Sequence, residues 1–265
     1  MELAPPPSLL DEDEPRPYEA IAGAAASPLL LACDHASNFV PRRLAGLGLD
    51  PAALRLHVAY DIGAAALTRR LAALLEAPAV LSHFSRLVID PNRVLDHETS
   101  IPEVSDGIAV PGNRALSGGE RRRRVAIFFA PYHRALAAAL QRRLERGRLP
   151  ALVSVHSFTP VMEGLSRPWE IGVLWNRDGR LALPLIEALR ARGLVVGDNQ
   201  PYSGATPFGY TMQHHADPLG LPQVLLEVRQ DLIDTQPGVE TWARRLAEVL
   251  PPLLDDPALR HPYAV

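Results

Sequence analysis

Leu29-Leu30-Leu31-Ala32-Cys33-Asp34-His35 is the stretch that decides the fold class. It is apolar without a break and too short for a helix, so it reads as a strand buried on both faces, and it stops on an acid and a histidine. Working outward, Ala79 to Phe84, Arg86 to Asp90, Leu152 to Val155, Ile171 to Trp175 and Gln223 to Val228 read the same way. Between them, apolar residues fall at helical spacing over Asp61 to Leu75, Ser117 to Gly147, Leu181 to Arg192 and Val239 to Leu250. Ser117 with Glu120 three residues on makes a capping-box start, and Gly147 and Gly193 supply stops. Strands alternating with helices imply an α/β sheet with helices on its faces. Residues 96–117 and 198–218 lack periodicity and read as long loops, a length that in compact domains is often functional.

The chain has 265 residues, within reach of a single α/β domain. Residues 1–26, with several prolines and acids, read as an irregular arm, and 27–265 as one domain. Hydrophobic residues make up 47% and charged residues 22%, with a net charge of −3, which leaves no basic field for nucleic acid. No apolar stretch approaches the roughly 18 residues of a membrane span, and the acidic start lacks the pattern of a secretory leader. The single cysteine, Cys33, excludes an internal disulfide and fits a reducing cytoplasm, where the protein is expected.

Polar residues cluster where apolar runs end. Asp34-His35 follows one, Asp90-Pro91-Asn92-Arg93 another, His156-Ser157 a third, and Glu227 lies near the end of a fourth. Open α/β sheets bind ligands beyond the carboxyl ends of their strands, so four such ends can assemble one site. His35 and His156 are candidate zinc ligands. A lone strand-end histidine is more often bonded to backbone; two of them shift the balance towards a catalytic zinc, which needs a third protein ligand and keeps a position for water. Asp61 is the first choice for that ligand and Asp34 the second. Glu227, inside Leu225-Leu226-Glu227-Val228, must be paired or lie near a cation. It is either the partner of Arg229 or a general base activating water at the metal. Asn92 and Arg93 suit a carboxylate, although taken in isolation a strand-ending turn with surface arginines is the better explanation. Arg121 to Arg124 read as a solvated helix face, Cys33 as a buried filler, and His57, His83, His97, His133 and His261 as structural or exposed.

The ordered blocks Cys33-Asp34-His35-Ala36-Ser37-Asn38, Ser85 to Arg93, Val155-His156-Ser157-Phe158 and Leu226 to Ile233 resemble the N-formylglutamate amidohydrolase family. The resemblance runs from about Leu29 to Ile233 and extends, more remotely, to the zinc carboxypeptidases and aspartoacylases. It implies a mixed, mostly parallel central sheet with helices on both faces, of the zinc-exopeptidase (phosphorylase/hydrolase-like) kind. It also implies His35 and His156 as ligands of one zinc ion per chain, Asn92 and Arg93 as carboxylate binders, and Glu227 as base. The resembling enzymes carry His-x-x-Glu in the first block; here that position is Asn38, so Asp61 is expected to complete the site. The expected activity is removal of a formyl or other small acyl group from an amino-acid substrate, a small molecule. Arg86 is expected to stabilise the oxyanion, and His215 to contact the acyl group or the transition state. Two alternatives stand beside this: a deacylase or carboxypeptidase for a larger acyl or peptidyl substrate, and a metabolite-binding module that has lost its metal. The sequence carries no sign of oligomeric state.

Overall fold

The computed structural model describes residues 8–147, 149–204 and 209–263. In chain order the elements are β1 (Tyr18–Ile21), β2 (Leu29–Cys33), α1 (Ala64–Leu74), β3 (Ala79–Ser82), β4 (Val104–Ser105) and β5 (Ile108–Ala109), then α2 (Gly118–Arg124), α3 (Ala130–Leu144) and β6 (Ala151–Phe158). There follow β7 (Val161–Met162), β8 (Leu165–Ser166), β9 (Ile171–Leu174), α4 (Ala182–Arg190), β10 (Val196–Asp198), α5 (Tyr210–His215), β11 (Gln223–Arg229) and α6 (Gln236–Leu254). One sheet of seven strands runs in the order β1-β3-β2-β6-β11-β9-β10. Its centre, β3, β2, β6 and β11, is parallel, while β1 is antiparallel to β3 and β9 is antiparallel to β11. This is the mixed, mostly parallel α/β sheet that was expected.

Alternation along β2 shows why the strand is apolar throughout. Leu29, Leu31 and Cys33 pack in the layer of α1 and α6, with Leu67, Leu71, Trp242 and Leu246. Leu30 and Ala32 face the opposite layer, with Tyr132, Leu136 and Leu140 of α3. Both faces are covered, so both residue sets are buried, each large side chain contributing roughly 1.5–3 kcal/mol. Helix α2 starts on the expected capping box: Glu120 N donates to Ser117 Oγ at 3.2 Å, and Ser117 N donates to Glu120 Oε2 at 2.9 Å.

Three sequence expectations are corrected. The arm over 1–26 is not irregular throughout, because β1 pairs with β3 at the sheet edge. Arg86 to Asp90 is not a strand: Val88 N bonds back to Ser85 O at 2.9 Å in a turn. Its apolar side chains are buried in a separate cluster with Phe128 and Phe129, which gives a strand-like run without a ladder. The loop read over 198–218 contains α5, whose first backbone amides are held by Asn92: Tyr210 N donates to its carbonyl and Thr211 N to its Oδ1. That cap comes from 119 residues away in sequence and leaves no local signal.

Candidate metal centre and cleft

The parallel strands deliver their polar residues to one edge, where loops lace them together. Asp61 N donates to His35 O at 2.9 Å, Arg86 N to Ala59 O at 3.2 Å, and Ser85 Oγ to Ala59 O at 2.8 Å. Gly63, at φ +81°, brings the loop that carries Asp61 against the far end of β11; a Cβ there would sit 2.2 Å from Ile233 O. In the register of β6 with β11, Glu227 stands directly beside His156.

His35, Asp61 and His156 are 5%, 2% and 2% exposed, and one ligand atom from each lies within 4.8 Å of the others. The outer nitrogens are fixed. His35 Nε2 donates to Asp90 Oδ1 at 2.8 Å, and His156 Nε2 donates to Asp34 Oδ2 at 2.9 Å. Ionised carboxylates only accept, so each Nε2 carries its proton; His35 Nδ1 has no hydrogen-bond partner among the described residues and presents a lone pair, whereas His156 Nδ1 lies within hydrogen-bond distance of Asp61 Oδ2. Both Nδ1 atoms face Asp61 Oδ2, at 3.4 Å from His35 and 2.8 Å from His156. Two imidazole nitrogens and a carboxylate oxygen thus converge in a buried place, where a cation could take the position of the proton shared by His156 and Asp61. Carboxylates behind both imidazoles are the usual second layer of a metal centre. The residues therefore fit a metal ion.

Asp34 is fully buried and acts as a hub, accepting from Tyr132 OH and Ser154 Oγ, each at 2.9 Å, and from Thr211 Oγ1. It stands behind His156 rather than beside Asp61. Burial alone would raise the Asp34 carboxyl, yet the hydrogen bonds from His156 and Thr211 hold it well below the ordinary carboxylate range. Asp90 is held low against its burial by His35 in the same way. Burial, aided by the Arg86 charge, pushes His35 down to about 4, so it is neutral and able to ligate near pH 7.

A cleft of about 660 Å³ opens over this centre, lined among others by His57, Arg86, Asn92, Arg93, Tyr202 and Glu227. Four buried polar atoms without a hydrogen-bond partner among the described residues belong to residues lining it: His35 Nδ1, His57 Nδ1, Arg86 Nε and Glu227 Oε2. An unpaired buried polar atom costs about 1–3 kcal/mol, so four around one cleft mark a site built for something other than stability. Glu227 has no ion pair with Arg229, which bonds Asp231 at 2.8 Å. Burial raises the Glu227 carboxyl against the opposing charges of His156, Arg86 and His35. Arg86 reaches Asp61 Oδ1 with one Nη nitrogen and so steadies the third member of the metal cluster.

The structure thus brings together His35, Asp61, His156, Glu227, Arg86, Asn92 and Arg93. It does not bring His215 to the cleft. His215 Nε2 donates to His133 Nδ1 at 3.0 Å, and His133 Nε2 donates to Pro91 O at 2.9 Å, so both rings serve packing behind the site. Asn38 is also outside it, with its Nδ2 donating to Leu54 O at 2.8 Å. His57, read from the sequence as structural or exposed, lines the cleft 3.7 Å from Asp61 Oδ1; its four-residue spacing from Asp61 is the one signal that could have found it.

Fold and site together define an α/β protein with a candidate site at the carboxyl edge of its mixed sheet, where a His-Asp-His cluster could hold a metal ion. The sequence pattern of the N-formylglutamate amidohydrolase family matches residues 27–234. The chain belongs to that family, and so to the hydrolases that act on amide bonds. A gene product of Agrobacterium tumefaciens, known from its crystal structure, is 35% identical over 93% of this chain and 98% of its own, with a TM-score of 0.88. The N-formylglutamate amidohydrolase of Ralstonia eutropha shares the fold, with a TM-score of 0.70 at 21% identity over 92% of this chain and 98% of its own. No curated protein matches the chain at a significant level. Among the described residues no helix is long and apolar enough to cross a membrane.

Proposed function

We propose that the chain removes a formyl or other small acyl group from the nitrogen of an amino acid, using one zinc ion held by His35, Asp61 and His156. The observation that carries this reading is the convergence of two imidazole nitrogens and a carboxylate beneath a cleft that also presents Glu227 and Arg93. Two nitrogens and one oxygen suit zinc with a position left open, and the bound ion would polarise the amide carbonyl and acidify water. Glu227 is the base: its raised carboxyl stands nearer to neutral pH than an ordinary glutamate, so it can take a proton from water and return it to the leaving nitrogen. Arg93 and the Nδ2 of Asn92 bind the α-carboxylate, since Asn92 Oδ1 is already committed to α5. Arg86 orients Asp61 and offers positive charge to the oxyanion that develops in the transition state, a role typically worth about 2.7–4 kcal/mol.

Protein purified without chelator is expected to carry about one zinc per chain, and His35→Ala or His156→Ala to lose it. Glu227→Gln is expected to keep its zinc and its melting temperature while turnover of N-formyl amino acids falls by about 10²–10⁴. Full zinc occupancy in both histidine variants would remove the centre from this reading, and an active Glu227→Gln would remove the base.

A further inference from the structure

Beyond Glu227 the character of the cleft changes. Across the sheet, Asn92 and Arg93 follow β3, His35 follows β2, His156 lies on β6 and Glu227 on β11. The next strand is β9, where the register sets Gly172 beside Glu227 and Leu174 beside Leu225. Leu225 shares a face of β11 with Glu227, because side chains alternate along a strand, and both leucines line the cleft. Gly172 has a specific use. A Cβ on it would collide with Gln200 O and come within 3.2 Å of Pro201 Cδ, so glycine is what lets the following loop lie flat against β9 beside the base. Asn199 pins that loop. Its N donates to Val173 O at 3.1 Å, and its Oδ1 accepts from Trp175 N at 3.0 Å and from Gly204 N at 2.9 Å.

Pro201 and Tyr202, carried by this pinned loop, extend the apolar surface along the cleft. The Tyr202 hydroxyl is taken up by Arg167 Nη1 at 3.1 Å, and the same guanidinium meets Met162 Sδ, which joins the loop to the hairpin β7–β8. Met162 also lines the cleft, and Leu165 stands opposite it on the same face of the hairpin, 72% exposed. A single exposed leucine is ordinary. A wall of apolar side chains that starts beside the base and ends on an exposed leucine is a surface that lacks its cover. The order of groups says which part of a substrate reaches it. With the α-carboxylate at Arg93 and the amide carbon between the His-Asp-His cluster and Glu227, whatever is attached beyond the amide carbon falls on β9. A formyl group ends there in a hydrogen atom and leaves the wall bare, and a cleft of about 660 Å³ is of a size that houses far larger ligands.

We infer that the acyl group of the substrate is an aliphatic chain of several carbons, laid along Leu225, Leu174, Pro201 and Tyr202 towards β7–β8. The inference rests on the amide-hydrolase reading of the cleft and narrows its substrate class to N-alkanoyl amino acids. Water supplies oxygen to the carbonyl carbon, the C–N bond breaks and the proton passes to the leaving nitrogen, so the products are an aliphatic carboxylate and a free amino acid. The same wall could be covered by an apolar side chain of the amino acid, and the experiment has an arm for it.

Two series of compounds are given to the full chain. One keeps glycine and lengthens the acyl group from formyl through acetyl and butyryl to hexanoyl. The other keeps formyl and lengthens the side chain from glycine through alanine and norvaline to norleucine. Wild type is followed by kcat/KM and Glu227→Gln by calorimetric Kd. The acyl series is expected to gain about fourfold per added methylene in both readouts, the transfer value of a buried CH2, while the side-chain series stays within about threefold overall. The double variant Tyr202→Ser, Met162→Ser should cut the gain to below about twofold per methylene, whereas Tyr202→Phe and Met162→Leu, which keep the apolar surface, should retain it. Each gain is a ratio within one variant, so a general loss of activity does not mimic the result. A flat acyl series, a rise confined to the side-chain series, or a gain that survives the double serine variant overturns the assignment. Hydrolysis without dependence on acyl length removes the apolar wall and leaves amide hydrolysis standing; length-dependent binding without hydrolysis of any compound does the reverse.

Discussion

Arg86 and Arg93 sit seven residues apart on the loop that leaves β3, yet they should fail differently when altered. Arg93 binds a group whose charge is the same before and during reaction, so Arg93→Lys is expected to raise KM for free α-carboxylates with little change in kcat, and to leave the matching amides unaffected. Arg86 meets charge that grows only in the transition state and also holds Asp61, so Arg86→Lys should lower kcat and loosen the metal together. Steady-state kinetics beside metal analysis separates the two, and equal sensitivity of acids and amides to Arg93→Lys would show that this arginine reads no carboxylate. The sequence made these residues legible because each lies next to a short apolar run. Arg124 was not legible. It ends the run of four arginines that reads as a solvated helix face, but it is buried, donating to Val88 O at 2.8 Å and to Asn113 Oδ1 at 2.6 Å. Its neighbours Arg121 and Arg122 show the composition signal at its usual value; the geometry of one helix turn, not composition, turns the fourth arginine inward to hold the loop bearing Arg86 and Asp90.

Elements repeat the contrast. Apolar runs long enough to fill two layers of core, such as β2, β6 and β11, were readable, and so were the helices, whose stops and caps are local. Among the missed elements, two are made by partners far away, β1 by edge pairing with β3 and α5 by the Asn92 cap, while the hairpins β4–β5 and β7–β8 are two-residue strands too short to show a pattern. Helix α5 also carries His215, whose bond to His133 of α3 has its own consequence. Burial pushes His133 down to about 4 and His215 to about 3, against about 6.5 in the unfolded chain. Both rings stay neutral when folded, and a proton on His133 Nδ1 would remove the acceptor that His215 uses. The unfolded chain therefore takes up protons first on acidification. The stability that this pair supports is complete above about pH 6.5 and falls as pH drops towards 4, by about 3 kcal/mol for His133 alone. Denaturant melts across that window should show the loss, with a shallower slope in the double variant His133→Leu, His215→Leu. An unchanged slope would assign the acid sensitivity to other buried groups.

Across the whole molecule, the candidate site is a product of long-range closure. His35 meets Asp90 across 55 residues, Asp61 meets His156 across 95, and Asp34 meets Thr211 across 177. Sequence reading could nominate the participants but not their pairing, because a carboxylate behind an imidazole and one beside it look alike in the chain; Asp34 and Asp61 exchange those roles without any change of local pattern. His215 shows the converse error, a histidine in a loop-like segment whose partner, His133, lies on the helix packed behind the site.

The place of β11 in the sheet has a consequence for synthesis. The strand lies between β6 and β9 and is the last of the seven to leave the ribosome. Until residues 223–229 emerge, the nascent chain holds two incomplete sheets, β1-β3-β2-β6 and β9-β10, each with an open edge where β11 belongs. Exposed edges of this kind recruit other chains. A chain stopped after Leu221 is therefore expected to be sensitive to protease and prone to aggregate although it retains six of the seven strands, whereas release of the full-length chain seals both edges at one stroke. Pulse proteolysis of stalled and released chains would measure it, and a stable, soluble 221-residue fragment would show that the two half-sheets stand without their keystone. Glu227 arrives on that same strand, so the catalytic base proposed for the cleft enters only as the fold closes.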